Sequence, residues 1–521
     1  MDCKKGSVEG QIILDVTNPI KVSINQFYGI EINDFAVTVA KTALWIAESQ
    51  MIKKTEDIVH RNIDFLPLKT NANIVEANAL RISWESVVSK NYLNFIMGNP
   101  PFVGKKEQSK SQKDDMTSIF GKKNRGIGNL DYVSAWYKKT ADFINGSNIK
   151  CALVSTNSIT QGEQVPILWN GIANQIQIIF AYRTFRWDSE ASQKAHVHCV
   201  IIGFCDACIK QDNKIIFDGE SKYSVQNINP YLVDAPNILI DNHNRPISGV
   251  PEISYGSMPI DDGNLILNKE DVENLLSENA DNSKFIRKYV GGDELLNNKD
   301  RWCLWLWGAS PREIQASKII LDRINKTCQF RKSSNRPQTV ALAETPMLFG
   351  EIRQPDTTML VIPKVSSEKR RYIPISYVSP EIIVNGSSLI IPNAELYHFG
   401  VLISNVHMAW MRAVCGRMKS DYQYSGKIVY NNFPWCVPSA IQREKIEKTA
   451  QAILDARSLY PKSSLADLYD PLTMPVELLK AHKENDRAVM EAYGFDVKTM
   501  SEEDCVAELM KMYQELTKTE G

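Results

Sequence analysis

The stretch that decides the fold is Asn94-Phe95-Ile96-Met97-Gly98-Asn99-Pro100-Pro101-Phe102, an apolar run that ends on two prolines. A short apolar run of this kind predicts a buried β-strand. Proline lacks the N–H that a sheet needs, so the chain should leave the sheet at Asn99. In an open α/β sheet the carboxyl ends of the strands face the crevice where ligands bind. The turn at 99–102 is therefore predicted to lie in a binding crevice.

The turn offers three groups to a ligand: the side-chain carbonyl of Asn99, the main-chain carbonyl of Pro100 and the flat ring of Phe102. Two acceptors over an aromatic ring suit a planar group that carries an –NH2, such as adenine. Drawing both amine hydrogens out of the ring plane localises the nitrogen lone pair for attack on an electrophile held in line. A strand-to-loop turn that arose by chance is the alternative explanation.

The tetrapeptide Asn99-Pro100-Pro101-Phe102 resembles the catalytic motif of amino-methylating DNA methyltransferases, in the form usual for adenine. In those enzymes the electrophile is the sulfonium methyl of S-adenosylmethionine. Methylation at cytosine carbon-5 needs a Cys nucleophile, usually after Pro, and the sequence contains no Pro-Cys pair.

The bulk properties indicate a protein of more than one domain without a general affinity for nucleic acid. The chain has 521 residues and a net charge of -1, so any DNA binding must come from local basic surface. Its ten Cys are scattered, and its start lacks the apolar core of a signal peptide. No apolar run approaches the length of a membrane-spanning helix, and a reducing cytoplasm is the expected location.

Besides Asn99 of the turn, three polar residues are candidate ligands of the cofactor. Glu31 ends a short predicted strand that feeds a helix, a position from which a carboxylate can accept both ribose hydroxyls. Asn78 follows the next predicted strand, where its carbonyl could accept from the cofactor adenine. Asp131 opens a later helix as a cap or a cofactor contact. A solvated capping charge and a turn residue are the competing readings of Glu31 and Asn78.

The polar stretch 103–129 is rich in Lys, Ser and Gly, and its basic residues outnumber its acidic ones. A loop of this length in a compact domain is usually functional or disordered. The sequence therefore predicts either a mobile flap, in which Lys105 and Lys106 contact phosphates, or a plain solvated loop.

Aromatic and cationic side chains alternate in Arg183-Thr184-Phe185-Arg186-Trp187, which is predicted to connect two strands. A base that has left its duplex must be stacked and its phosphates held. Phe185 or Trp187 is thus a candidate second wall of a base pocket, with Arg183 and Arg186 as DNA contacts. Simple packing of a hairpin is the alternative.

Two patterns of potential metal ligands receive no assignment. Cys205 and Cys208 form a single C-x-x-C without a second pair. His196 and His198 alternate along a predicted strand, and no third ligand follows at suitable spacing.

With these elements in order, the chain resembles roughly the carboxyl-terminal two thirds of MmeI-like type IIL restriction–modification enzymes. The most specific stretches are 26–31, 98–103, 182–204, 301–306, 396–400 and 420–435. The resemblance implies a partial methyltransferase domain at 1–230, a target-recognition domain at 231–436 and a helical C-terminal region at 437–521. It also implies an α/β fold: a Rossmann-like methyltransferase sheet, then a mixed α+β recognition domain and a helical tail. The implied activity is adenine methylation in duplex DNA by base flipping, with S-adenosylmethionine as cofactor.

The recognition section is rich in short strands, predicted at 387–392 and 427–430 among others. Arg side chains suit the edge of guanine, Asn or Gln side chains suit that of adenine, and Glu or Asp side chains suit that of cytosine. The candidate DNA contacts are Lys364, Glu368, Lys369, Arg370, Arg371, Arg417 and Lys419. A run of charged residues that only face solvent is the alternative. Beyond the recognition section, prolines 461, 471 and 475 are expected to divide a helical tail into short helices.

The sequence lacks the cofactor loop of such a sheet. A dinucleotide-type fold places its first strand and Gly-rich turn about 20 residues before the acid that binds the ribose. Nothing before Gly6 and Gly10 fits that strand. In the methyltransferase arrangement, this first strand lies between the strands that carry Glu31 and Asn99. We therefore expect a fragment, a misassigned start or one half of a split enzyme, with an upstream polypeptide that supplies the missing strand.

Two other functions stay open at this point. One is a catalytically silent DNA-binding or specificity fragment, which the missing loop favours. The other is a methyltransferase for protein glutamine, because a side-chain amide asks for the same two acceptors, although the long recognition section argues against so small a substrate. DNA cleavage is not claimed, because the chain has no room for the nuclease region of its larger relatives.

Overall fold

The computed structural model describes the backbone of residues 6–8 and 11–13 and, with side chains, residues 22–60, 63, 72–187 and 197–518. The chain divides into two compact units. Unit 1 consists of Met1–Ser155, Gly171–Phe180 and Ile201–Asp212, and unit 2 consists of Thr156–Asn170, Ala181–Val200 and Asn213–Gly521.

The first part of the chain alternates strands with helices, as the sequence predicts. Its elements are β1 Gly6–Val8, β2 Gln11–Ile13, β3 Tyr28–Glu31, α1 Asp34–Val59, β4 Asn73–Glu76, β5 Phe95–Gly98, α2 Lys110–Phe120, α3 Ser134–Ile144, β6 Lys150–Thr156, α4 Gln164–Trp169, β7 Ile176–Trp187, β8 Val197–Asp206, β9 Lys214–Asp218 and β10 Ser221–Val225.

Short strands and helices follow in the recognition section. They are β11 Ser254–Tyr255, β12 Ile266–Leu267, α5 Lys269–Glu278, β13 Ile286–Val290, α6 Gly292–Asn297, β14 Trp302–Leu304, α7 Pro311–Gln315, α8 Lys318–Lys332, α9 Pro337–Ala341, β15 Met359–Pro363, β16 Val365–Ser366, β17 Ser376–Val378, β18 Ile383–Val384, β19 Ser388–Pro392, α10 Leu396–Leu402, α11 Asn405–Val414, β20 Gly416–Met418 and β21 Asp421–Gln423. The tail contains α12 Ala440–Ser458, α13 Leu465–Leu468, α14 Val476–Tyr493 and α15 Glu502–Lys518.

Strands β5 to β10 form a six-stranded sheet in the order β10-β9-β7-β8-β6-β5. β5 and β6 are parallel, with Phe95 opposite Lys150 and Gly98 opposite Leu153. Parallel strands in α/β proteins are buried under helices, and accordingly Cys151 and Leu153 of β6 are buried. This arrangement confirms the predicted α/β fold class.

β3 and β4 form a separate parallel pair, in which Glu31 lies opposite Glu76. Among the described residues, no strand joins this pair to β5, the edge strand of the six-stranded sheet.

The structure corrects the prediction that the strand before Asn99 is buried. Phe95 is 66% exposed and Met97 is 79% exposed. Within the described part of the chain, β5 is hydrogen-bonded to another strand on one side only, that of β6. β5 therefore has the apolar sequence of an interior parallel strand, but β6 is its one neighbouring strand among the residues that the structure describes.

The prediction of a flap or loop over 103–129 is wrong for residues 110–120, which form α2. Ser109 caps this helix: its Oγ accepts from Gln112 N, and its own N–H donates to Gln112 Oε1 at 2.9 Å. Such a capping box satisfies two donors that a helix start otherwise leaves unpaired. Asp115 and Met116 are buried on the inner side of α2.

Residues 183–187 are not a connection between strands, as predicted, but the continuation of β7. With the period of 2 that a strand imposes, Phe185 and Trp187 share one face with Arg183, and Arg186 lies on the other. β7 consequently runs for 12 residues and carries Tyr182, whose ring stacks on Phe217 with centroids 4.2 Å apart.

Unit 2 contains three further sheets, ordered β11-β19-β15-β17, β12-β14-β13-β18 and β16-β21-β20. β19 confirms the strand predicted at 387–392. The strand predicted at 427–430 is wrong, because Gly426–Tyr430 forms a π-helical turn that Ser425 caps at Ile428 N. Both Ile428 and Val429 are buried, so the pair lacks the alternation of a half-buried strand.

The tail is helical, as predicted, but its main helices are long rather than short: α12, α14 and α15 have 19, 18 and 17 residues. Ile446, Ala450 and Ile453 form the buried stripe of α12, whereas Ile441 is exposed. α10 approaches α12 closely at Gly400, where an added Cβ would lie 2.7 Å from Ile446. Within the described ranges, no helix combines the length and apolarity needed to cross a bilayer.

Candidate functional site

The Asn-Pro-Pro-Phe turn follows directly on β5 in unit 1. Asn99 and Pro101 are exposed, Pro100 is buried and Phe102 is half-buried. The buried proline anchors the turn, while the Asn99 amide is left accessible. The geometry therefore meets the first condition for the predicted chemistry, which is that a ligand can reach Asn99.

Asp131 fixes the chain immediately after this turn. Its Oδ1 accepts from Val103 N at 3.1 Å and from Val133 N at 3.2 Å, and it is buried. Gln108 adds a second link, because its Nε2 donates to Val103 O at 3.1 Å and to Leu130 O at 2.9 Å. Asp131, which is predicted as a helix cap or a cofactor contact, is thus a buried residue whose hydrogen bonds connect the turn to the start of α3. Sequence reasoning missed Gln108.

Asp115 of α2 is the centre of a second polar cluster that the sequence analysis missed. Asp115 accepts from Arg81 Nε at 2.6 Å, from Tyr132 Oη at 2.8 Å and from Asn78 Nδ2 at 3.3 Å. Burial raises the pKa of Asp115, but these hydrogen bonds outweigh it and hold the pKa below its ordinary value. Burial and the bond to Asp115 raise the pKa of Tyr132. The cluster ties α2 to the turn after β4.

The predicted cofactor ligands Glu31 and Asn78 stand at the ends of the paired strands β3 and β4. Glu31 is half-buried, and its Oε1 accepts from Ile32 N at 2.9 Å. The Asn78 amide is engaged locally, since its Oδ1 accepts from Leu80 N at 2.9 Å and its Nδ2 donates to Asp115. Glu31 is therefore the more available of the two.

The aromatic and cationic residues near the end of β7 belong to unit 2. Phe185 and Trp187 are neighbours on one face, with ring centroids 6.1 Å apart, and Trp187 is exposed. Arg183 is engaged with Leu232 O, Asp218 and Glu503, whereas Arg186 is exposed. In unit 1, Lys105 Nζ donates to Asn129 Oδ1 at 3.2 Å and Lys106 is exposed.

The small sheet β16-β21-β20 brings together two predicted groups of DNA contacts that are far apart in sequence. β16 is flanked by Lys364 and by the turn that holds residues 368–371. β20 carries Arg417, which lies opposite Tyr422 of β21. Lys419 sits at the tip of this hairpin with a φ of 57°.

Aromatic rings support the basic side chains of this sheet. The Lys364 ammonium lies 5.3 Å from the ring centroid of Tyr255, and the Arg417 guanidinium lies 4.5 Å from that of Tyr422. Arg370 is partly buried, which lowers its pKa. Glu368, Lys369 and Arg371 are exposed. The arrangement presents both donors and an acceptor on one surface.

Of the residues considered as metal ligands, Cys205 is buried, Cys208 is exposed and His196 lies outside the described residues. Over the ranges that the structure describes, no group of three or more His, Cys, Asp or Glu side chains is placed to hold a metal ion.

Three family models match the chain in succession. They are the DNA-methyltransferase domain of MmeI over residues 5–218, its target recognition domain over 234–437 and its C-terminal domain over 438–520. A curated relative, DNA methyltransferase A of Bacillus subtilis (strain 168), is 41% identical over 500 residues. The match covers 95% of this chain and 56% of that relative, so the chain spans little more than half of the relative's length.

A solved structure is also similar, that of the Type IIL restriction-modification enzyme MmeI in complex with DNA. It is 46% identical, with a TM-score of 0.85, and the match covers 98% of this chain and 69% of that one. Because the family models follow one another over nearly the whole sequence and the structural likeness extends over the same length, the chain belongs to the MmeI family of type IIL restriction–modification proteins.

Proposed function

We propose that the chain is the methyltransferase and target-recognition part of a restriction–modification protein. It acts in the cytoplasm and methylates the exocyclic amino group of adenine in duplex DNA. The observation that carries this proposal is the accessibility of the turn, where Asn99 is exposed and Phe102 half-buried at the end of β5. A turn folded into the core could not grip a base.

The chemistry assigned to the turn follows from its hydrogen-bonding groups. Asn99 Oδ1 and the Pro100 carbonyl each accept one amine hydrogen, while Phe102 stacks on the ring of a base that has left the duplex. Both carbonyls then favour the pyramidal amine, whose lone pair is available for attack. In unit 2, the neighbouring rings of Phe185 and Trp187 are proposed to stack on a DNA base.

S-adenosylmethionine, when bound, supplies the methyl group through its sulfonium. Glu31 suits the ribose hydroxyls, because its carboxylate is partly exposed at the carboxyl end of β3. Asn78 fits a contact with the adenine less well, since both ends of its amide are already engaged. Asp131, which is buried, is better suited to hold the turn in place than to touch the cofactor.

We further propose that an upstream polypeptide supplies a parallel strand and its Gly-rich turn between β3 and β5. Support comes from the separation of β3 and β4 from the six-stranded sheet and from the exposure of Phe95 and Met97. The methyltransferase, recognition and helical regions are proposed to divide at residues 230 and 436. The proposed DNA contacts of the recognition region are Lys364, Glu368, Lys369, Arg370, Arg371, Arg417 and Lys419, together with Lys105, Lys106, Arg183 and Arg186 outside it.

The test is transfer of a labelled methyl group to duplex DNA, with the chain alone and with the upstream polypeptide. Asn99→Ala is expected to abolish transfer, because one of the two acceptors is lost. Asn91→Ala is the matched control, since Asn91 is exposed in a neighbouring turn and has no part in the site. Equal activity of the two variants would disprove the assignment of Asn99.

The same experiment separates the alternatives. Transfer to protein but not to DNA would indicate a glutamine methyltransferase. DNA binding without transfer, even with the upstream polypeptide, would indicate a silent specificity fragment, a reading that the open sheet favours. Calorimetric titration with S-adenosylmethionine tests the sheet directly: tight binding by the chain alone would contradict the proposed missing strand.

A further inference from the structure

The exposed turn at 368–371, which is a proposed DNA contact, continues directly into a buried segment, residues 372–375. Lys369 and Arg371 of the turn are exposed, whereas Tyr372 is 1% exposed. A buried segment beside an exposed turn limits the directions in which the side chains of the turn can point. The contacts of residues 372–375 therefore determine how firmly the turn is held.

Helices α12 and α14 of the tail hold this segment at three points, all within unit 2. The Tyr372 hydroxyl donates to Asp486 Oδ2 of α14 at 2.6 Å. The Tyr372 ring stacks on the imidazole of His482, also in α14, with centroids 4.1 Å apart. Arg457 Nη1 of α12 donates to Ile375 O at 2.8 Å. The three tail residues are buried, so these contacts are shielded from water.

The tail residues are in turn fixed by hydrogen bonds of their own. Asp486 Oδ1 accepts from Asn405 N at 2.8 Å. Tyr469 Oη accepts from Arg457 Nε at 2.9 Å and is hydrogen-bonded to His482 Nε2 at 2.8 Å. Connected hydrogen bonds in a buried site strengthen one another and favour a single arrangement of the side chains. The tail therefore gives the segment a preorganised support.

Two side chains of the recognition section also reach the turn, through longer hydrogen bonds. Tyr422 Oη donates to Glu368 O at 3.4 Å, and Arg412 Nη2 donates to Arg371 O at 3.3 Å. Both distances exceed the usual range. The Tyr372 hydroxyl, in contrast, donates to a carboxylate at 2.6 Å, which is typical of a charge-assisted hydrogen bond. The bond to α14 is thus the strongest of the three.

Arg371 connects this support to the exposed turn. Its guanidinium lies over the Tyr372 ring, 5.6 Å from the ring centroid, which is a cation–π contact. Because α14 fixes the Tyr372 ring, the Arg371 side chain rests on a fixed surface. The orientation of an exposed cation in the recognition section is therefore linked to a carboxylate in the tail.

We propose that Tyr372 and Asp486 are positioning residues of target recognition. By holding the segment after the turn, they keep Lys369 and Arg371 in the orientation in which these side chains contact DNA. This role rests on the proposed function, which makes the turn a DNA contact, and it gives the helical tail a part in recognition. A turn that is ordered before binding loses less conformational entropy in the complex, so the complex dissociates more slowly.

The test compares how fast the whole chain and its Tyr372→Phe variant dissociate from one duplex, by stopped-flow mixing. Phe keeps the ring on His482 and every charge of the turn, but it removes the hydroxyl that donates to Asp486. Dissociation is expected to be about 5-fold faster, because one buried, charge-assisted hydrogen bond is lost. The association rate and its salt dependence should stay unchanged, because long-range attraction depends on the charges.

Tyr430→Phe is the matched control. The Tyr430 hydroxyl belongs to another buried tyrosine of unit 2 and donates to Pro251 O at 2.7 Å. Its removal should lower stability to a similar extent but leave dissociation from DNA unchanged. Equal effects of the two variants on dissociation would indicate general destabilisation and would overturn the proposal.

Two variants of Asp486 show whether the hydrogen bond itself matters. Asp486→Asn can accept from Asn405 N with its carbonyl and donate to Tyr372 Oη with its amide, so it should dissociate like wild type. Asp486→Ala leaves both groups without this partner and should dissociate at least as fast as Tyr372→Phe. Equal dissociation rates of the Asn and Ala variants would contradict the positioning role of Asp486.

Hydrogen exchange of the chain without DNA separates this proposal from the proposed function. The amides of residues 368–375 should exchange faster in Tyr372→Phe than in wild type and in Tyr430→Phe. Unchanged exchange there, or faster exchange with unchanged dissociation, would overturn the proposal. A wild type that binds no duplex would instead refute the proposed function, and faster exchange in Tyr372→Phe would then still support the hold of the tail on the turn.

Discussion

At the scale of single residues, Asn99 is exposed because the residues that follow it cannot continue β5. Pro100 and Pro101 have no N–H for a sheet, and Pro100 is buried where it anchors the turn. The sequence therefore predicts the position of the candidate catalytic amide from covalent chemistry alone. Its environment is set by residues far along the chain, such as Asp131, and no local pattern indicates that contact.

Phe102 is predicted to contribute stacking and nothing more. Phe102→Ala should lower kcat/KM for duplex DNA about 10- to 100-fold, because stacking one base on an aromatic ring contributes ~1–3 kcal/mol. Phe102→Tyr should stay close to wild type. The measurement uses whichever preparation transfers methyl groups, the chain alone or the chain with the upstream polypeptide. Tyr92→Ala, at an exposed ring outside the turn, is the control. Equal losses for Ala and Tyr at 102 would argue against stacking.

Asp486 of α14 is predicted to make stability depend on pH. Burial raises its pKa to about 6, although Tyr372 Oη and Asn405 N donate hydrogen bonds to its carboxyl group. Because the folded pKa lies above the unfolded value of about 3.9, this contribution to stability is fully present below about pH 4. As the pH rises through 6, this contribution to the free energy of unfolding is lost, and the total loss is ~3 kcal/mol.

Asp486→Asn removes this titration. Relative to wild type, the variant should gain stability between pH 4.5 and pH 7.5, which denaturant unfolding at the two pH values measures. Asp455→Asn, on the surface of α12, is the control. A difference between Asp486→Asn and wild type that is the same at both pH values would show that Asp486 does not titrate in this range.

At the scale of elements, the sequence of α2 contains two signals of a helix. Ser109 and Gln112 form a capping box, and Met116, Ile119 and Phe120 have helical spacing. The Lys, Ser and Gly content of the stretch obscured both. Residues 183–187 continue β7 although their mixture of aromatic and cationic residues gives no clear period-2 separation of two faces. The π-helical turn at 426–430 has no comparable signal, because its short apolar run fits a strand equally well.

The attachment of α2 to the turn after β4 is predicted to depend on the hydrogen bonds that Asp115 accepts rather than on its salt bridge with Arg81. The Arg81 side chain is 57% exposed, so solvent screens its ion pair and Arg81→Gln should destabilise the fold only slightly. Asp115→Ala leaves Tyr132 Oη and Asn78 Nδ2 without an acceptor and should cost ~2–4 kcal/mol.

Hydrogen exchange of the α2 amides is the local readout for these variants, and the exposed Asp114→Ala is the control. Loss of protection should be large for Asp115→Ala and small for the other two. Equal loss for Arg81→Gln and Asp115→Ala would assign the anchor to the ion pair instead.

At the scale of the whole molecule, the net charge of -1 means that the proposed binding of DNA depends on local basic surface. The exposed turn at 368–371 is the strongest candidate. The double substitution of Lys369 and Arg371 by Gln should slow association with every duplex and flatten its salt dependence, as stopped-flow mixing would measure. Glu368→Gln removes a negative charge from the same turn, so it should raise the rate slightly with every duplex and also alter the preference among sequences. Uniform effects of all three changes would indicate a purely electrostatic contact.

One edge of β5 pairs with no strand in the described part of the chain, and this has a further consequence in a cell. Unpaired strand edges with bare apolar side chains, here Phe95 and Met97, are templates for aggregation. Chaperones and proteases continuously triage chains that display such surfaces. A copy whose edge is not covered is therefore expected to be short-lived. Its abundance would then follow that of the proposed polypeptide that covers the edge, because only copies with a covered edge would escape degradation.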